Sequence, residues 1–296
     1  MKAVEHLKGA MVRGTQWRYL LVFVAGTFLP SLLLFGPAKG FFGGLFDHAI
    51  REASLVRTLD SPALFEVLRQ MGEPAGESLG PGLSAAFFAT LLVAPALAGA
   101  AAAVAQSEAP LATSALMAAA ARLYLRMLRM AFVALVPVGL AVGASAAILH
   151  AIGKSNAHAV HESAAWHATL AGWFGAVVLV GLASSTVEVG RAYLVAEPER
   201  RSAFLAWWRG ARLTVRRPVA VLGTCLATTA ASLVLAFLLT ALRLRLFPGG
   251  MATILLGFLV AQAAVAVVGW GRASRLAGLV SVIRGYGTGT ETGTAA

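Results

Sequence analysis

Residues 188–218 read EVGRAYLVAEPERRSAFLAWWRGARLTVRRP, and the interpretation of the whole chain starts from this stretch. It is rich in arginine and lies between two strongly apolar runs. On a helical wheel one side is apolar and an adjoining stripe is basic. The apolar side holds Phe204, Trp207, Trp208, Ala211 and Val215, and the stripe holds Arg201, Arg209, Arg212 and Arg216. Such a helix is expected to lie in a membrane interface, with its rings toward acyl chains and its guanidinium groups toward lipid phosphates.

The composition of the 296-residue chain indicates a membrane protein. Hydrophobic residues make up 58% of the chain and charged residues 12%, whereas a soluble domain carries about 25% charged residues. The net charge of +11 could indicate nucleic-acid binding. However, the arginines lie beside apolar runs, where they serve as topology signals and partners of lipid headgroups. We therefore expect a lipid bilayer with anionic phospholipid as the partner, and no nucleic acid.

Apolar runs long enough to cross a bilayer occur six times along the chain. The predicted fold is therefore an all-α polytopic integral membrane helical bundle with interfacial amphipathic helices. One membrane domain covers residues 1–284, with spans at about 19–38, 79–107, 130–153, 163–187, 218–242 and 251–271. We further predict an outer helical hairpin at 41–77, cytoplasmic amphipathic helices at 110–129, 199–217 and 272–284, and a disordered tail at 285–296.

The first cytoplasmic helix repeats the basic pattern of the second in weaker form. Arg122 and Arg126 of ARLYLR have the spacing of Arg212 and Arg216 of ARLTVR, at an offset of 90 residues. Arg122 and Arg126 are therefore added to the predicted lipid- or partner-binding residues. The same offset indicates a parallel internal repeat, although an alanine-rich composition could mimic one. A repeat of this kind would place a pseudo-twofold axis along the membrane normal.

The distribution of basic residues predicts the orientation of the chain. If the N-terminus is inside, the inner segments hold 17 of the lysines and arginines and the outer segments hold 7. Because positive charge is retained on the cytoplasmic side, both termini are expected to be cytoplasmic.

Four histidines around the loop after the third span are the candidates for a metal site. They are His150, His158, His161 and His167, with Glu162 beside them. Imidazole and carboxylate groups suit zinc, but the spacing matches no standard zinc site. A polar outer loop explains the same residues without metal. Glu188 and Arg191, at i and i+3, form another pair, which is interpreted as an interfacial salt bridge with coupling or partner docking as the alternative.

The motifs GRAYLVAEPERRSAFLAWWRGARLTVRRP and AARLYLRMLRMAF resemble those of a loose group of uncharacterised bacterial six-span membrane proteins. More distantly, residues 105–240 look like the membrane domain attached to some glycerophosphodiester phosphodiesterases. The resemblance implies a bacterial inner-membrane helical bundle with cytoplasmic interfacial helices. The catalytic domain of those phosphodiesterases has no counterpart in this sequence, so no catalytic residue is implied.

The sequence contains no P-loop, dinucleotide-binding or hydrolase motif, so no catalytic residue is predicted. The leading hypothesis is a non-enzymatic scaffold or transporter-like subunit. Its arginine-rich helices would engage anionic lipid, or a membrane or cytoplasmic protein partner. The alternative is a membrane enzyme that acts on a lipid-linked substrate and uses the outer histidines as a zinc site. No other cofactor is expected.

Overall fold

A computed structural model describes residues 2–46, 73–107, 109–156, 162–197, 199, 202–246 and 250–291. The described residues form eight α-helices. These are α1 (Lys2–Gly14), α2 (Trp17–Phe46), α3 (Glu73–Gln106), α4 (Thr113–Asn156), α5 (Glu162–Ala196), α6 (Ala203–Arg216), α7 (Pro218–Arg245) and α8 (Met251–Glu291). The predicted all-α class is confirmed.

Six of these helices are long enough and apolar enough to cross a membrane, and each overlaps one predicted span. They are α2, α3, α4, α5, α7 and α8, with apolar windows of mean hydropathy between 1.8 and 2.3. The chain is therefore a multi-pass membrane protein. The predicted outer hairpin at 41–77 falls largely on residues 47–72, outside the described residues, and its two ends continue α2 and begin α3.

Two helices extend beyond their predicted ends. The predicted interfacial helix at 110–129 and the span at 130–153 form one helix, α4, of 44 residues. Its first half is rich in alanine, leucine and methionine, which are strong helix formers, and it holds no proline before Pro137. The change from a polar to an apolar pattern near residue 130 therefore does not mark the end of a helix.

The last helix, α8, likewise continues from its apolar window through the predicted interfacial helix at 272–284. It ends at Glu291, so residues 285–291 are helical where a disordered tail was predicted. No proline interrupts this sequence, so nothing removes a backbone hydrogen-bond donor along it. Residues 292–296 lie outside the described part of the chain.

The chain forms two compact units, of which the larger comprises residues 1–22 and 95–296. In this unit small residues allow α7 and α8 to pack closely. A Cβ added to Gly271 would lie 2.5 Å from the Cβ of Ser232, and one added to Gly278 would lie 2.7 Å from Cγ2 of Thr224. Such contacts between small residues are a common basis of helix association in membranes.

Two of the close helix contacts in the larger unit lie at positions that nearly match the predicted repeat. A Cβ on Gly99 of α3 would lie 3.0 Å from the Cα of Ala120 in α4. A Cβ on Gly210 of α6 would lie 2.7 Å from the backbone nitrogen of Gly190 in α5. Ala120 and Gly210 are 90 residues apart, and Gly99 and Gly190 are 91 apart. Because the second pair differs from the predicted offset by one residue, the duplication and its pseudo-twofold axis stay predictions.

The smaller unit comprises residues 23–94, which contribute parts of α2 and α3. Within it, a Cβ on Gly82 would lie 2.6 Å from Cγ of Pro37, so the two helices meet where a glycine faces a proline ring. Pro30 and Pro37 both lie inside α2.

Candidate functional site

The amphipathic helix α6 has clear start and stop signals in the sequence. At its start, the Ser202 hydroxyl accepts a hydrogen bond of 3.3 Å from the backbone N–H of Leu205. Serine is a favoured N-cap because it satisfies one of the free N–H groups of the first turn. At its end, Arg217 has non-helical dihedral angles, φ −134° and ψ 62°, and Pro218 begins α7. Proline disfavours the helical conformation in the preceding residue, so the chain changes direction at this step.

The helix has three faces rather than the two that the sequence pattern suggested. The third face is buried and consists mostly of small residues, namely Ala203, Ala206, Gly210, Leu213 and Thr214. This face packs against α5, where a Cβ on Gly210 would also lie 2.9 Å from the carbonyl oxygen of Thr186. Sequence reasoning missed it, although the spacing of residues 203, 206 and 210 at i, i+3 and i+7 was a signal.

The apolar face of α6 is exposed in the protein. Phe204 and Trp208 are each 56% exposed, and Val215 is 81% exposed. The Trp207 ring packs between its neighbours, with centroids 5.6 Å from the Phe204 ring and 6.2 Å from the Trp208 ring. Trp207 is half-buried, and its Nε1–H donates a 3.1 Å hydrogen bond to Oγ1 of Thr186 on α5. The Trp207 indole therefore fixes the aromatic face to α5, whereas Phe204, Trp208 and Val215 remain exposed.

The arginines of α6 are exposed on the adjoining face, as the wheel predicted. Arg209, Arg212 and Arg216 are all exposed. Arg209 also forms an ion pair with Glu197, with Nη1 3.5 Å from Oε2 and both side chains open to solvent. Arg201 lies outside the described residues. An exposed pair of this kind contributes little to stability, so it leaves the basic face available for other anions.

The two arginines predicted to bind lipid from α4 have different environments. Arg122 is exposed. Arg126 is half-buried, and its Nη2 donates to the carbonyl oxygens of Leu194 at 3.2 Å and Glu197 at 3.4 Å. Those carbonyls belong to the C-terminal end of α5, where a cation interacts favourably with the helix dipole. Gln106 assists there by donating to the Val195 carbonyl at 2.6 Å. Arg126 therefore holds the end of α5 in place.

Glu188 and Arg191 form the predicted salt bridge, and a third residue joins them. Nη1 of Arg191 donates to Oε1 of Glu188 at 2.8 Å. Arg275, which is 87 residues further along the chain, places its Nη2 3.7 Å from the same oxygen. Its Nη1 donates to Oγ1 of Thr229 at 2.9 Å. The cluster thus joins α5, α7 and α8.

The histidines predicted to bind metal are only partly described. His150 and His167 are exposed, while His158 and His161 lie outside the described residues. Nδ1–H of His167 donates to the Ser163 carbonyl at 2.7 Å, which orients the ring within its own helix. Within the described ranges, no group of three histidine, cysteine or acidic residues is placed to hold a metal ion. With two of the four histidines outside those ranges, the zinc site stays a prediction.

Comparison of the chain with models of known protein families, with curated proteins and with solved structures found no match.

Proposed function

We propose that the chain is a non-enzymatic multi-pass subunit of a bacterial inner membrane that holds anionic lipid headgroups against the exposed faces of α6. The observation that carries this proposal is the arrangement of that helix. A buried small-residue face fixes α6 to α5, and the aromatic and arginine faces are left open side by side. Aromatic rings beside guanidinium groups suit the boundary between acyl chains and phosphates.

The position of α6 in the chain supports this reading. It connects α5 and α7, two helices that are long and apolar enough to cross the bilayer. A helix between two such spans lies at one membrane surface. Each arginine near an anionic leaflet contributes about 1 kcal/mol, so Arg209, Arg212 and Arg216 together provide substantial attraction.

We propose that this surface is cytoplasmic, with both termini on the same side. The asymmetry of basic residues, 17 against 7, supports the direction. The contacts of α1 with α8 support a common side for the two terminal regions. The Trp270 Nε1–H of α8 donates to the Met11 carbonyl of α1 at 3.0 Å.

The proposal is tested by removing the charges of the exposed arginine face. The variant Arg209→Gln/Arg212→Gln/Arg216→Gln is compared with a control that replaces Arg243 and Arg245 by glutamine. The control residues are exposed at the other end of α7, about 40 Å away for a helix of 28 residues. Both variants are reconstituted in nanodiscs of mixed phosphatidylglycerol and phosphatidylcholine.

The measured quantity is the preference for phosphatidylglycerol among lipids retained by the protein, read by native mass spectrometry. At about 1 kcal/mol per arginine, the preference is expected to fall by roughly fivefold for each charge removed on α6. The control measures the loss for arginines that do not belong to an amphipathic helix, and a smaller loss per charge than on α6 is expected. Equal preference in the wild type and the α6 variant would remove the lipid-binding role.

A further inference from the structure

The cluster around Glu188 carries more positive than negative charge. Arg191 and Arg275 both approach the same carboxylate oxygen, at 2.8 Å and 3.7 Å. Arg272, one turn before Arg275 on α8, also lies within electrostatic reach of Glu188. Two guanidinium groups thus pair with one carboxylate, and Arg272 adds a further positive charge nearby. Positive charge in a poorly solvated place is costly unless an anion compensates it.

Two hydrogen-bond donors of this cluster are also unsatisfied. The Nε atoms of Arg191 and Arg275 are buried and have no hydrogen-bond partner in the described part of the chain. A buried donor without an acceptor costs about 1–3 kcal/mol. Arg191 donates to Glu188, and Arg275 donates to Thr229 and pairs with Glu188. Each guanidinium group therefore has N–H donors that no protein atom of the described ranges accepts.

The side chains of the cluster are partly exposed. The side chains of Arg191 and Arg275 are 22% and 18% exposed, and that of Glu188 is 17% exposed. Glu188 lies eight residues before the end of α5, or about 12 Å along the helix. A ligand can therefore approach only the uncovered part of these side chains.

We propose that Arg191 and Arg275 bind one phosphate-type anion beside Glu188, at the junction of α5, α7 and α8. Guanidinium groups match phosphate because several N–H donors meet several oxygens at once. Two such groups held against one carboxylate oxygen form a preorganised pair, and the Thr229 hydroxyl orients one of them. The phosphate can belong to a lipid headgroup or to a free phosphate, because both present the same oxygens.

This site is separate from the arginine face of α6, which supports the proposed function. It does not rest on that function, since none of Arg209, Arg212 and Arg216 belongs to it. Glu188 gives the site a distinctive property. As the neighbouring negative charge, the carboxylate competes with a bound anion, so its removal should strengthen binding.

The experiment measures the affinity of purified full-length protein for inorganic phosphate, at constant ionic strength, and for phosphatidylglycerol in mixed micelles. The variants are Arg275→Gln, Arg191→Gln and Glu188→Gln, with Arg243→Gln/Arg245→Gln as the control. We expect each arginine variant to weaken binding at least tenfold and Glu188→Gln to tighten it at least tenfold. For inorganic phosphate, the control variant should bind within twofold of the wild type.

The two probes identify the source of the phosphate. Saturable binding of phosphatidylglycerol alone, weakened in Arg191→Gln and Arg275→Gln, assigns a lipid headgroup to this site. Saturable binding of inorganic phosphate that the same variants weaken assigns a free anion. No saturable binding of either probe overturns the proposal. So does weaker binding in Glu188→Gln, because a purely structural ion cluster would be damaged by loss of any member.

Arg275→Lys and Arg191→Lys are also measured, so that the proposal is tested even where a glutamine variant does not fold. Lysine keeps the charge but loses the planar set of donors. Folded lysine variants should bind the same probe at least fivefold more weakly than the wild type. Wild-type affinity in both lysine variants would overturn the assignment of these two residues.

Discussion

Replacement of Gly210 by alanine tests whether α6 is held to α5 by its small-residue face. A Cβ at this position would lie 2.7 Å from the nitrogen of Gly190, 2.9 Å from the carbonyl oxygen of Thr186 and 3.1 Å from the Cα of Gly190. All three are backbone atoms, which cannot rotate away as a flexible side chain could. The two helices must therefore move apart along the whole contact.

The magnitude follows from two opposing contributions. Overpacking of a close contact costs about 1–3 kcal/mol. Alanine in place of glycine within a helix contributes about 0.5–1 kcal/mol in the stabilising direction. We expect Gly210→Ala to lower the free energy of unfolding by about 1–2 kcal/mol. Gly175→Ala on α5 is the matched control, because a Cβ there meets nothing within 4 Å.

The assay is reversible unfolding in mixed micelles by a denaturing detergent, followed by circular dichroism. The control should be as stable as the wild type or up to about 1 kcal/mol more stable. Because both variants make the same chemical change, the difference between them isolates the helix contact from effects on the unfolded chain. If Gly210→Ala were as stable as Gly175→Ala, the close packing of α6 on α5 would be refuted.

Three further predictions concern other parts of the chain. Arg126→Gln should lower the free energy of unfolding by about 1–2 kcal/mol, because charge-assisted hydrogen bonds to the end of α5 are lost. In the same detergent titration, Arg122→Gln should change it by less than about 0.5 kcal/mol, because Arg122 is exposed. Because both termini are proposed to be cytoplasmic, a C-terminal fluorescent-protein fusion should fluoresce in bacteria, and a C-terminal alkaline phosphatase fusion should be inactive. The reverse pattern would contradict the orientation. His158→Ala/His161→Ala should leave thermal unfolding unchanged, because we expect folding to require no metal. Stoichiometric zinc in the wild type that is lost in this variant would establish a metal site.

The six spans and the end of α6 follow from local properties of the sequence, whereas the start of α6, predicted at 199, lies at Ala203. Long apolar runs predict the spans because backbone groups in a bilayer must be satisfied within a helix. Ser202 and Pro218 mark the two ends of α6 through capping and the missing N–H of proline. The exposed aromatic and arginine faces were also predictable, since a helix repeats its faces every 3.6 residues.

Contacts between distant residues were not predictable in the same way. Arg275 joins the pair Glu188 and Arg191 across 87 residues of sequence, and a local pattern does not show which helices are neighbours. Arg126 was grouped with the lipid-binding arginines because its spacing matches Arg216. Its half-buried position depends on where the end of α5 lies.

Spin labelling of α6 tests most directly whether this helix lies in the membrane interface. Single cysteines are placed at Phe204, Trp208, Arg209, Arg212 and the buried Ala206, in a background in which Cys225 is replaced by alanine. In liposomes, labels at 204 and 208 should be accessible to oxygen dissolved in the acyl region, and labels at 209 and 212 to a water-soluble nickel complex. The label at 206 should be reached by neither reagent. Equal access of the nickel complex to 204, 208, 209 and 212 would contradict an interfacial position for α6.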